Sequence, residues 1–162
     1  MNTLLALLNR LSTCLKWVGG AALTTMMLLT VADVIGRLFK SPIFGSVELV
    51  GLLAVVVTAA ALPYTHKVNG HVGVEILVGR LSQKGQLRLD LATRTLSLIL
   101  FGLIAWQMFC YAGDMKATGE VSMDLEFPLY TIIYLLALGL LAFSATLLES
   151  LVLNIKALKE IQ

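Results

Sequence analysis

Asp33 and Arg37 are the first residues whose types and spacing invite chemistry. They stand four apart in a long apolar run that carries no other charged side chain between Lys16 and Lys40. A lone carboxylate at the centre of a bilayer costs roughly 2.5–3.5 kcal/mol, and less toward the edge, so Asp33 needs a partner. A separation of four places both side chains on one helical face, where Arg37 can neutralise it. Two roles fit such a pair: a proton or ion relay, or a paired charge that fixes a helix end or a subunit contact. The nearness of the partner and the scarcity of other intramembrane charges favour the second. Glu48 follows a turn built from Ser41, Pro42 and Gly45 and falls in the first turn of the next apolar run. The helix dipole favours an anion there, and Glu48 is also placed to reach Arg37 across the turn and tie the two runs together.

The other candidates point to no reaction. His66 and His71 are the only histidines, and a spacing of five puts them on different faces of a helix. Glu75 alone is close enough in sequence to complete a metal site, short of what zinc requires. Both histidines are expected to be polar loop residues at a headgroup boundary, unable to reach a buried haem iron. Cys14 and Cys110 fall near opposite membrane faces and cannot pair within one chain. Glu149, late in the last apolar run, either faces other helices or is solvated at the membrane edge. No phosphate loop, no nucleophile with a base and no cluster of intramembrane carboxylates is present. No enzyme activity, catalytic or substrate-binding residue, metal site, bound cofactor or nucleic-acid partner is therefore expected of this chain.

These residues hang on elements that the hydropathy makes plain. In 162 residues, 58% are hydrophobic and only 14% charged, with a mean hydropathy of +0.88. One soluble core of this size cannot hide that much apolar surface, so lipid must cover it. A spanning helix needs about 20 mostly apolar residues. Four segments qualify, at about 17–38, 47–64, 89–111 and 128–153. They are continuously apolar with no period of two, which argues for helices over barrel strands. The run from Trp17 to Val34 is too long for a signal-peptide core and is expected to remain as a helix.

Before the first span, Leu4, Leu8, Leu11 and Leu15 recur at helical spacing, which predicts an amphipathic helix over 1–16 lying in the interface. The alternative is that these residues lengthen the first span. Val74, Leu77, Val78 and Leu81 predict a short amphipathic helix between spans two and three. The fold expected is thus an all-α integral membrane protein, a single four-helix domain over 1–162 with these two amphipathic additions. Of the twelve Lys and Arg residues, Arg10, Lys16, Lys67, Arg80, Lys84, Arg88, Arg94, Lys156 and Lys159 fall on one side, against Arg37, Lys40 and Lys116. The positive-inside rule then puts both termini in the cytoplasm.

The stretch Arg37, Phe39, Ser41, Pro42, Gly45 and Glu48, followed by an apolar span and then Asn69, Gly70, His71, Val72, Gly73, Val74 and Glu75, resembles the small membrane subunit of TRAP transporters, the DctQ-like family. Length, span number, orientation and the leading amphipathic helix extend the resemblance over essentially the whole chain. Two positions depart from the family pattern: Val47 precedes a single Glu48 where two acids are common, and Leu38 stands where an aromatic is common. The resemblance implies a three-part, sodium-coupled importer of an organic anion such as a carboxylate or sulfonate. A periplasmic binding protein delivers the solute, and a large membrane subunit binds it together with sodium. The small subunit, in the bacterial inner membrane among its lipids, scaffolds the large one. On that reading Asp33, Arg37, Glu48 and His71 are structural or subunit-interface candidates. The rival reading is a self-sufficient four-helix multidrug exporter, which would want a mid-span carboxylate in its first helix. Asp33 stands near the end of its span instead.

Overall fold

The computed structural model describes residues 2–68 and 83–160, and within them four helices: α1 (Asn2–Leu38), α2 (Ser46–Lys67), α3 (Gln83–Thr118) and α4 (Leu129–Glu160). Each contains a stretch long and apolar enough to cross a membrane. The short amphipathic helix expected around 74–81 lies outside the described residues, as does His71.

At 1.5 Å per residue, α1, α3 and α4 measure about 55, 54 and 48 Å, well beyond the ~30 Å of hydrocarbon, whereas α2 at about 33 Å just spans it. The tight α1–α2 and α3–α4 connections lie at one end of the molecule, so the surplus length projects from the other. That end carries Arg10, Lys16, Lys67, Arg88, Arg94 and Lys156, while Arg37, Lys40 and Lys116 lie at the connection end. The helix expected over 1–16 is not separate from the first span: residues 2–16 continue into it as one uninterrupted helix, the alternative reading of this segment. Nothing between Leu15 and Val18 breaks it, since no proline, cap residue or glycine intervenes before Gly19.

In space the helices form a row, α1–α2–α4–α3, with α1 touching α4 only lightly. Small residues make the approach close. A Cβ added at Gly139 of α4 would meet Ala59 of α2 at 2.6 Å, and Ala59, Ala60, Ala137 and Leu140 are buried around it. In lipid, helix association comes from packing of this kind and not from hiding apolar surface from water. Phe143 of α4 fills the neighbouring space, edge to face with Phe101 of α3 at 4.7 Å. Large side chains elsewhere face outward: Trp17, Leu96 and Trp106 are all about 70% exposed. Hydroxyls within the spans satisfy themselves. Thr24, Thr25, Thr30, Thr58 and Thr95 each donate to the carbonyl four residues back, so none needs a partner on another helix.

Candidate functional site

The connection end holds the residues singled out by the sequence, in two separate fixtures. The first forms where α1 stops. Ser41 donates its backbone N–H to the Gly36 carbonyl at 2.8 Å and Lys40 to that of Arg37 at 3.1 Å. These are the two bonds of a Schellman ending, with Lys40 at φ 57° in the left-handed position that glycine usually takes. The return is tight enough that a Cβ at Gly36 would strike the Ser41 carbonyl oxygen. This fold-back brings residue 43 over Asp33. One carboxylate oxygen accepts from Arg37 Nε at 2.8 Å and the other from the Ile43 N–H at 2.9 Å, beside the buried Ser46. Asp33 is 7% exposed, whereas the Arg37 side chain is 57% exposed. The carboxylate thus welds the end of α1 to the start of α2, and the outer part of the guanidinium stays open.

The second fixture belongs to Glu48. It does not hold Arg37 across the turn. Gly45, at φ 67°, caps α2 without a side chain, and Glu48 reaches away to the loop between α3 and α4. There it accepts the Leu125 N–H at 2.8 Å, with the N–H groups of Met123 and Asp124 and the Ser122 hydroxyl also directed at it. Ser122 closes the loop: its N–H donates to the Phe127 carbonyl, and its hydroxyl accepts the Phe127 N–H, both at 2.9 Å. Leu125 packs where a Cβ on Gly45 would be. A carboxylate surrounded by backbone donors is charge-satisfied without a cation. Asp33 and Glu48 therefore bind different partners, and Glu48 stands apart from the Asp33–Arg37 pair.

At the opposite end the structure corrects the reading of His66 and decides that of Glu149. His66 is not a loop residue. It belongs to α2, its Nε2 is 3.0 Å from Ser150 Oγ on α4, and its ring meets Phe143 edge-on at 5.8 Å. Glu149 faces the other helices, 3.9 Å from Lys67 Nζ, and Lys67 also donates to Asn9 Oδ1 on α1 at 2.7 Å. A polar knot linking three helices was not singled out from the sequence. The signal for it is positional: Asn9, Lys67 and Ser150 stand at matching depths on antiparallel helices. Cys14 and Cys110 are both free and exposed.

None of this is catalytic machinery. Among the described residues no group of three His, Cys, Asp or Glu side chains could hold a metal ion, and Asp33 and Glu48 are both engaged by their own chain. Four apolar spans, with Asp33 and Glu48 tying helix ends and a loop together, define a multi-pass membrane protein. The sequence model of the DctQ component of tripartite ATP-independent periplasmic transporters matches residues 26–157. The chain belongs to this family: it is the small permease component of a TRAP transporter and not an enzyme. No curated protein matches it.

Proposed function

We propose that this chain is the fixed scaffold of a sodium-coupled importer of an organic anion, a carboxylate or sulfonate delivered by a periplasmic binding protein. The solute and sodium bind on the large membrane subunit, and this chain contributes no ligand to either. The observation that carries the reading is that Asp33 and Glu48, the two carboxylates at the ends of the first two spans, are held by their own chain. Asp33 is held by Arg37 and the Ile43 N–H, and Glu48 by the Leu125 N–H. Solute translocation needs polar groups released to a pathway; helix packing against a partner subunit does not. The cation excess at the end bearing both termini supports an inner-membrane orientation with that end in the cytoplasm. The exposed Arg37 edge and the apolar outer faces of the helices supply the surface for the large subunit.

The test is co-expression of the tagged chain with the genes beside its own, isolation in mild detergent, and uptake assayed with and without sodium. The expected result is a large multi-span protein recovered in fixed ratio, with uptake that needs both chains and sodium. Arg37→Ala should lower both recovery and uptake, because Asp33 loses its cation. A chain that purifies alone as a homodimer and confers transport or drug resistance unaided would instead favour the small-exporter reading and overturn this one.

A further inference from the structure

A groove of about 160 Å³ runs between α1 and α2 at the end bearing the N-terminus. Its apolar walls are Leu23 on α1 and Val57 on α2, and Lys16 and Tyr64 stand at its mouth. Two glycines shape it differently. Gly19 sets the approach of the helices, since a Cβ there would press on Ala60 at 3.3 Å, whereas a Cβ on Gly20 would meet nothing within 4 Å and leaves the floor open. Lys16 Nζ donates to the Tyr64 hydroxyl at 3.1 Å and lies 4.5 Å from the Tyr64 ring centroid. An ammonium carries three donors, so one partner leaves capacity for an anion. Trp17, 72% exposed, is next to it, as expected of a side chain at headgroup depth. Counting back from Leu38, the ~30 Å of hydrocarbon ends near residue 18, so Lys16 stands at the phosphate level and the groove descends into the acyl region.

We propose that this groove is a binding site for an anionic phospholipid, with Lys16 and the Tyr64 hydroxyl holding the phosphate and one acyl chain lying over Gly20 between Leu23 and Val57. The cation at the mouth and the apolar slot below it match the two halves of such a molecule in order and in depth. The site is independent of the transport role above, because no partner subunit is needed to form it.

The test is native mass spectrometry of the full, delipidated chain in mild detergent, titrated with phosphatidylglycerol and, separately, phosphatidylcholine of the same acyl chains. Wild type should bind one phosphatidylglycerol about fivefold more tightly than phosphatidylcholine, the preference of one lysine for an anionic headgroup. Lys16→Gln should abolish the preference, and Lys16→Arg should keep it. Gly20→Leu, whose Cβ meets nothing within 4 Å, puts a side chain into the slot and should lower occupancy by both lipids. Lys116→Gln, at the opposite end, should leave binding unchanged. A preference that survives Lys16→Gln, or falls equally in Lys116→Gln, would overturn the proposal, as would Gly20→Leu binding like wild type. The exposed Lys16 variants keep the test decisive if the Gly20 variant fails to fold.

Discussion

Asp33 and Glu48 are similar acids at the edges of apolar runs, but they do different work. Asp33 stitches together residues close in sequence, Arg37 and Ile43. Glu48 instead spans 77 positions to Leu125, so its carboxylate ties the first helical hairpin to the loop of the second at this end, beside the packing of Leu125 on Gly45. Replacing it isolates that connection. In Glu48→Gln one carboxylate oxygen becomes an amide group that donates where the loop also donates, so at most one acceptor remains. The expected outcome is a loop at 119–128 cut several-fold faster by protease in detergent, with helix content unchanged by circular dichroism. Equal cutting rates in wild type and variant would show that the hydrogen bonds within the loop hold it unaided. The sequence placed Glu48 correctly at a helix start but not its partners, because those partners are backbone N–H groups, which every residue but proline possesses. Nothing in residues 123–125 advertises that their amides converge.

Helices were the most legible elements, because a 20-residue apolar run has few other fates in a membrane. Their ends and neighbours were less so. Span two was read as stopping at Tyr64, which left His66 in a loop; α2 in fact continues to Lys67, and those three residues decide whether His66 meets water or Ser150. The row α1–α2–α4–α3 was not legible either, since hydropathy says which segments are buried in lipid and nothing about which faces touch. Gly102 and Gly139 make the point. Both are mid-helix glycines among leucines, yet a Cβ at Gly139 would meet the Ala59 carbonyl oxygen at 2.7 Å, and one at Gly102 would meet nothing within 4 Å. Gly139→Leu should therefore separate α2 from α4, costing about 1–3 kcal/mol or more, and lower the thermal midpoint in detergent. Gly102→Ala should leave that midpoint unchanged or raise it, by up to about 1 kcal/mol of helix propensity. If the two variants shift the midpoint alike, the α2–α4 contact is not where the helices approach most closely.

Over the whole molecule, charge and length tell one story. The helices are level at the connection end and ragged at the other, where six described cations gather against three. The start of α1 continues into the first span as one unbroken helix, so the surplus length at this end belongs to the spanning helices themselves. The four-span plan needs no fine detail of packing, which is why it could be read from the sequence. Which end faces the cytoplasm is then a single binary question, and Met123 answers it well: it is 98% exposed at the tip of the loop between α3 and α4, and its side chain is not among the groups engaged with Glu48. In a background lacking both native thiols (Cys14→Ser and Cys110→Ser), Met123→Cys should react with a membrane-impermeant maleimide on intact spheroplasts. Arg10→Cys, on the exposed surface of α1 at the other end, should react only after the membrane is opened. The reverse pattern would place the cation-rich end outside, against the positive-inside rule, and would put the acidic loop out of reach of any periplasmic protein. Labelling of both sites in sealed cells would mean that the chain inserts in two orientations, and the fixed-scaffold role would then have to belong to whichever population assembles with the large subunit.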